Sequence, residues 1–165
     1  MTLKKNCDKI DILLMKRKGF LMTSEECLDY LKKVYSTNNF CRLLGLEIES
    51  VKCGECVLKM TIDPEKHTNL YGIVHGGALE SLADTALGVV CATMGERVMT
   101  VNFNMSFIRN IHPGETARAF AKVQHHGRTT MVVSVKLFDE DDKMMGHCTA
   151  TMFVRGKFPE IPANW

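Results

Sequence analysis

Hydrophobic and polar positions change their spacing several times along this chain of 165 residues. Between residues 23 and 38, apolar side chains recur every three or four positions behind a Thr-Ser-Glu-Glu start, which predicts an amphipathic helix that ends at an Asn-Asn pair. From Gly45 apolar and polar side chains alternate, which predicts two strands, at 46–53 and 55–63. The residues expected on the buried face of these strands are Leu46, Ile48 and Ser50, then Cys56, Leu58, Met60 and Ile62.

The longest apolar tract contains only two acidic residues, Glu80 and Asp84. It predicts a core helix at 77–94, for which Gly95 is a natural C-terminal stop. Four strands in meander order are expected after this helix, at 97–110, 116–126, 128–138 and 144–156. In the first of them, the residues expected to face the core are Met99, Val101, Phe103, Met105 and Phe107, with Thr100 among those on the opposite face.

This order of elements predicts an α+β fold. A helix that is apolar on nearly every side must be covered on most sides, so an antiparallel sheet has to curl round it. The length is typical of one domain, and no internal repeat or low-complexity segment divides the chain.

Composition and charge exclude few functions. The net charge of +2 is too small to indicate nucleic-acid binding, and the apolar run within residues 1–22 is too short for a signal peptide or a membrane span. Seven scattered cysteines form no disulfide framework, which predicts a cytoplasmic protein. We expect no metal, because no second pair completes the ligands of Cys53 and Cys56, and because adjacent histidines 125 and 126 face opposite ways on a strand.

The candidate chemistry lies in the segment NLYGIVHGGALESLAD, residues 69–84. Gly76 and Gly77 leave backbone N–H groups free at the positive end of the helix, where no Cβ keeps a carbonyl oxygen away. Asp84 lies on the same helix face within about 20°, but about 10 Å further along the axis. Because that separation exceeds hydrogen-bond reach, the two elements serve one site only if they come from two chains related by a two-fold axis.

Other interpretations of the same residues stay open at this point. The two glycines would also suit a plain loop-to-helix junction, and Asp84 would also suit a buried carboxylate tied to the hydroxyl of Ser81 or Thr85. Glu80, one turn earlier, is either a competing carboxylate or an exposed residue. No G-x-S-x-G elbow is present, so nothing supports an α/β-hydrolase.

The segment resembles the signature of hotdog-fold acyl-CoA thioesterases of the phenylacetate-pathway (PaaI-like) type, which is an asparagine, a loop, His-Gly-Gly and then Leu-x-Asp. The order of elements is similar as well. The resemblance implies a hotdog fold for residues 43–156, with a helical N-terminal extension at 1–42 and an irregular tail at 157–165. It also implies a homodimer, or a dimer of dimers, whose chains join their sheets and form the active sites between them.

The resemblance further implies hydrolysis of an acyl-CoA thioester to free acid and coenzyme A, with no separate cofactor. Asp84 would be the general base or nucleophile, and Gly77 would polarise the thioester carbonyl through its N–H. Asn69 would hold the carbonyl or a water molecule, and His75 would brace the loop and that carbonyl. Further substrate contacts are expected from Gly76 and Thr100, from Gly127, Arg128 and Thr129 at a hairpin corner, and from Arg109 and Lys122. The acyl pocket would be lined by Val74, Leu79, Leu82 and Phe103.

Two other functions fit a chain of this pattern. A hotdog hydratase or dehydratase would need a histidine and a carboxylate at the acyl β-carbon, whereas the placement of Asp84 favours hydrolysis. A non-catalytic acyl-CoA sensor would need a DNA-reading helix pair in the extension, where only one good helix is evident. The thioesterase interpretation is therefore the leading one.

Overall fold

The structure, a computed structural model, describes residues 22–165. The basic segment before Met22, for which a helical or frayed conformation is expected, lies outside the described residues. The helices within them are α1 (Ser24–Tyr35), α2 (Asn39–Leu43), α3 (Pro64–His67) and α4 (Gly76–Ala92). The strands are β1 (Glu47–Lys52), β2 (Glu55–Thr61), β3 (Glu96–Phe107), β4 (Thr116–His126), β5 (Thr130–Phe138) and β6 (Met144–Lys157).

The strands form an antiparallel sheet in the order β1-β2-β4-β5-β6-β3. Helix α4 lies against the inner face of this sheet and contacts β2, β3, β4, β5 and β6. Most of its side chains are buried, among them Leu82, Leu87 and Val90. The predicted α+β architecture, one apolar helix wrapped by a curled sheet, is confirmed, and it is the hotdog arrangement.

The expected meander order is wrong for β3. This strand pairs with β6 at the far edge of the sheet and does not neighbour β4. The connection 108–115 crosses the end of the core, where Ile111 is buried and the N–H of Gly114 donates to the carbonyl of Ile62 at 2.8 Å. Local periodicity carries no information about such long-range pairing.

Two β-bulges change which side chains face the core. In β1 a register shift between Ile48 and Ser50 turns Val51 inward and leaves Ser50 exposed. In β3 the shift falls between Thr100 and Asn102. Thr100 is therefore paired with buried Met152 on the inner face, whereas Met99 and Val101, predicted to be buried, are 57% and 66% exposed. In β2, by contrast, the predicted inward residues Cys56, Leu58, Met60 and Ile62 are all buried.

The first helix begins as predicted and ends earlier. Thr23 and Glu26 form a reciprocal capping box at the start of α1. The helix stops at Tyr35, because Asn38 caps α2 through hydrogen bonds that its side-chain oxygen accepts from the N–H groups of Phe40 and Cys41, at 2.9 and 3.2 Å. Cys27 and Leu31 of α1 belong to the same core as α4. No helix within residues 22–165 is long and apolar enough to cross a membrane.

The residues after β6 lack regular structure and cover the C-terminal end of α4. The N–H of Phe158 donates to the carbonyl of Gly95 at 2.8 Å, and the indole N–H of Trp165 donates to the carbonyl of Thr93 at 2.7 Å. Ile161 between them is buried. The tail thus packs on the helix end opposite the His-Gly-Gly segment.

Candidate active site

The loop between α3 and α4 is closed on itself. Thr68 and Val74 form a bridge across its base, and the N–H of Asn69 donates to the carbonyl of Ile73 at 2.8 Å. The side-chain oxygen of Asn69 accepts the N–H of Tyr71 at 2.9 Å, which fixes the turn. Its amide nitrogen has no hydrogen-bond partner among residues 22–165, so this group is available to a ligand.

His75 is the N-cap of α4. Its Nδ1 accepts the backbone N–H of Gly77 at 2.9 Å, so this N–H, expected to polarise a carbonyl, is engaged in the present conformation. The N–H of Gly76 has no partner within the described part of the chain. A Cβ at either glycine would crowd a ring, at 3.1 Å from Phe107 for Gly76 and from His75 Nδ1 for Gly77. The two glycines therefore permit close packing at the helix start.

A cavity of about 360 Å³ opens beside this helix start. Val74 and Leu79, predicted for the acyl pocket, lie in its wall, whereas Leu82 is fully buried and Phe103 packs against the core. The remaining apolar wall of this cavity was not predicted, because the C-terminal end of β3 was expected to face the core. The full lining is Val74, Gly76, Leu79, Phe107, Ile108, Arg109 and Asn110.

Asp84 lies on an exposed part of α4 and faces β3. The hydroxyl of Thr100 donates to Asp84 Oδ1 at 2.8 Å. The alternative of a buried Asp84 tied to Ser81 or Thr85 is wrong, since Asp84 is exposed and the Ser81 hydroxyl donates to the carbonyl of Gly77 instead. The bulge in β3 makes the Thr100 contact possible by turning this side chain inward.

Cys148 of β6 lies beneath the acidic face of α4. Burial, followed by the negative charges of Asp84 and Glu80, raises the pKa of its thiol to about 11. Glu80 therefore lies on the same side of the helix as Asp84 and is exposed to solvent. Helix α4 thus carries a carboxylate that a hydroxyl orients. The start of the same helix, about 10 Å away along the axis, has an N–H at Gly76 that no group of the described residues accepts.

The hairpin corner between β4 and β5 holds the residues expected to meet coenzyme A. The N–H of Gly127 donates to the carbonyl of Thr130 and the carbonyl of Thr129 accepts the N–H of Val154, both at 2.9 Å. Arg128 is exposed. Lys122, a weaker candidate, is paired with Glu55 at 2.8 Å on the outer face of the sheet.

Next to this corner lies a buried carboxylate, Glu96, whose burial the sequence did not predict. Glu96 is almost fully buried and pairs with Lys157 and with His126 Nε2, the latter at 2.8 Å. Its position directly after Gly95 gave no sign of burial, because a charged residue at a strand start is ordinarily exposed. Within the described residues no group of three or more histidine, cysteine, aspartate or glutamate side chains could hold a metal ion.

The two cysteines of the Cys53-Gly-Glu-Cys56 segment contact different parts of the molecule. The thiol of Cys56 donates to the carbonyl of Ala86 in the core at 3.6 Å, and the thiol of Cys53 donates to the carbonyl of Ala163 in the tail at 3.5 Å. Burial raises the pKa of Cys56 well above that of a free thiol. Both cysteines thus have structural contacts.

Comparisons with known proteins agree with the fold. The model of the thioesterase superfamily matches residues 71–145. The acyl-coenzyme A thioesterase PaaI of Escherichia coli is 32% identical over 128 residues, which cover 78% of this chain and 86% of PaaI. The solved structure of the E. coli PaaI protein superposes with a TM-score of 0.77 at 26% identity, covering 82% of this chain and 98% of that one.

A hypothetical thioesterase of Streptococcus pneumoniae, solved with coenzyme A, has a TM-score of 0.65 at 28% identity, covering 68% of this chain and 90% of that one. Structures of two variants of that protein replace an aspartate and a threonine that are 16 residues apart, with alanine in each case. Asp84 and Thr100 have the same separation. The chain belongs to the thioesterase superfamily and has the hotdog fold of its PaaI-type members.

Proposed function

We propose that the chain hydrolyses acyl-CoA thioesters to a free acid and coenzyme A, at sites shared by two copies of the chain. The observation that carries this proposal is the hydrogen bond from Thr100 to Asp84, which orients a carboxylate at the accessible side of an otherwise buried helix. The name of E. coli PaaI and the coenzyme A bound to the S. pneumoniae relative support the substrate class.

The chemistry needs few groups, because a thioester carbonyl is electrophilic and its thiolate leaves readily. The carbonyl oxygen binds at the start of α4, where the backbone N–H groups of Gly76 and Gly77 stabilise the developing oxyanion. The Gly77 N–H joins this site when the imidazole of His75 turns away from it. The amide of Asn69 holds the carbonyl or the attacking water.

Asp84 of the partner subunit acts on this carbonyl. Its carboxylate takes a proton from a water molecule, whose oxygen adds to the carbonyl carbon and places the negative charge on the carbonyl oxygen. The carbon–sulfur bond then breaks, and the coenzyme A thiolate leaves and takes up a proton. Direct attack by the carboxylate would instead expel the thiolate and form an anhydride that water opens, and water attack at the aspartyl carbonyl would leave an oxygen atom of Asp84 in the product.

The edge of strand β3 supports a dimer with this division of roles. Within residues 22–165, strand β3 pairs with β6 on one side only, so its other edge presents backbone groups that a second copy can pair with. The side chains of Met99 and Val101 along this strand are exposed, as are Leu70 and Tyr71 in the loop beside α4. A two-fold axis here would bring the start of α4 in one chain toward Asp84 of the partner subunit.

Coenzyme A would bind along the rim of this site. Arg109 lines the cavity at the helix start and Arg128 is exposed at the hairpin corner with Gly127 and Thr129, so both can meet phosphate oxygens. We propose no cofactor beyond the coenzyme of the substrate, and neither a nucleic-acid nor a membrane partner. The free cysteines of the described residues favour the reducing cytoplasm.

The test is release of free thiol from short, long and aromatic acyl-CoAs. We expect the wild type to cleave at least one class, and Asp84→Asn to lose about 10²–10⁴-fold in kcat while the protein stays folded. The matched control is Glu80→Gln, which neutralises a carboxylate one turn away and should keep its rate within a few-fold. Binding of every acyl-CoA without cleavage would overturn the proposal and favour a sensor.

A further inference from the structure

The last residue of α3, His67, is buried directly before the active-site loop. Its side chain is 2% exposed, and its Nδ1 accepts the backbone N–H of Asp63 at 3.0 Å. Its Nε2 is buried without a hydrogen-bond partner within the described residues. A ring that accepts at Nδ1 carries its single proton on Nε2, so this geometry requires the neutral imidazole.

The backbone of His67 also closes the loop that carries the site. Its carbonyl accepts the N–H of His75 at 2.8 Å, and the next residue, Thr68, forms the bridge with Val74. The loop thus returns to the backbone of His67, while the imidazole of the same residue fixes the first turn of α3 through the Asp63 N–H. Asn69 lies two residues after His67, and His75 lies immediately before α4.

We propose that His67 is a positioning residue for the thioesterase reaction: its neutral ring fixes the turn of α3 from which the loop 68–75 closes, and its protonation loosens this turn and releases Asn69 from its working position. This inference rests on the proposed function. It adds a residue that touches neither substrate nor reacting atoms and that makes hydrolysis sensitive to acid.

The surroundings of His67 oppose its protonation. Burial, the strongest influence, lowers its pKa below the usual value of a histidine. The carboxylate of Asp63 raises the pKa of His67, whereas the ammonium group of Lys66 lowers it. These two groups pair with each other at 2.8 Å. Weaker hydrogen bonding of the ring with the backbones of Thr61 and Leu44 also raises the pKa and favours the charged form.

The direction of the pH effect follows from this shift. Above the ordinary histidine pKa of 6.5, the ring is neutral in both the folded and the unfolded chain, so it does not change the free energy of unfolding with pH. Below that pH the unfolded chain takes up a proton that the folded one resists, so the closed loop loses stability as the pH falls toward the lowered pKa. Protonation also removes the acceptor for the Asp63 N–H.

The first experiment compares pH profiles of kcat/KM between pH 5 and 8 for the wild type, His67→Asn and His112→Asn. Asparagine at 67 keeps an acceptor near Nδ1 but does not titrate, and exposed His112 controls for the loss of an imidazole. Below the pKa of His67 we expect the wild type and His112→Asn to fall more steeply than His67→Asn, by about tenfold per pH unit. Parallel profiles in all three proteins would overturn the inference.

The second experiment needs no variant and keeps the inference testable if His67→Asn folds poorly. Nitrogen-15 NMR of the wild type should show the His67 ring as the Nε2–H tautomer, with a titration midpoint below 6.5. An Nδ1–H tautomer, or a midpoint at or above 6.5, would overturn the role of His67. Absence of thiol release at every pH would instead overturn the proposed function, and the NMR result would then stand separately.

Discussion

Among single side chains, Thr100 determines how the carboxylate of Asp84 points. Its hydroxyl donates to Asp84 at 2.8 Å, and a hydrogen bond to a charged group is worth about 1.5–3 kcal/mol. Thr100→Val keeps the shape of the side chain and removes the donor, so we expect kcat/KM to fall about 10–100-fold. Thiol-release kinetics on the substrate found with the acyl-CoA panel would measure this loss.

Thr100→Ser is the matched control, because serine restores the hydroxyl and removes only a methyl group. We expect it to retain activity within a few-fold of the wild type. Equal activity of the valine and serine variants would mean that the hydrogen bond does not serve catalysis. The melting temperature of both variants should be measured as well. If both melt at about the same temperature and only the valine variant loses activity, the loss is catalytic and not a folding defect.

The candidate site shows which residues a sequence can reveal. Asn69, His75 and Asp84 were found because a motif fixes their spacing. His67 and Glu96 were missed because burial of a polar side chain depends on what packs over it, and neither position interrupts a hydrophobic pattern. The direction of Thr100 was also missed, since simple alternation put it on the outer face and the bulge reverses it.

Among the elements, helix α4 is bounded at its C-terminal end by a glycine that the tail requires. Gly95 has φ +75°, and a Cβ there would lie 2.5 Å from the carbonyl oxygen of Ile161. Gly95→Ala should therefore cost more than the left-handed backbone penalty of about 1–2 kcal/mol, because the tail must also move. Urea unfolding at one fixed protein concentration would measure the loss.

Gly45→Ala is the control for this prediction. Gly45 has φ +63° and no atom within 4 Å of the added Cβ, so its replacement reports the backbone penalty alone. We expect Gly95→Ala to lower the free energy of unfolding by at least about 1 kcal/mol more than Gly45→Ala does. Equal losses would show that the tail yields without cost and does not hold the helix end.

The elements themselves were largely predictable from periodicity, and their arrangement was not. Alternation located every strand, and β2 buries the residues expected of it. The bulges in β1 and β3 are invisible to alternation, which assumes a constant register. The place of β3 at the sheet edge depends on pairing with β6, some 50 residues away along the chain.

In the whole molecule, the position of β3 and the length of α4 together argue for shared sites. Asp84 lies seven residues beyond Gly77, about 10 Å along the axis at 1.5 Å per residue. One chain therefore cannot bring its own carboxylate to a carbonyl bound at its own helix start. The edge of β3 that pairs with no strand of residues 22–165 runs beside Asp84 through Thr100, so a second copy joined at this edge would reach the carboxylate.

Heterodimers of two inactive variants test this arrangement directly. Asn69→Ala damages the helix-start half of a site and Asp84→Asn the carboxylate half, so both homodimers should be nearly inactive. A purified heterodimer, selected with two different tags, has one site with both halves intact if the halves come from different chains. We then expect about half of the wild-type activity per dimer. If both halves came from one chain, every site in the heterodimer would carry a defect, and activity no higher than that of the parents would refute the shared site.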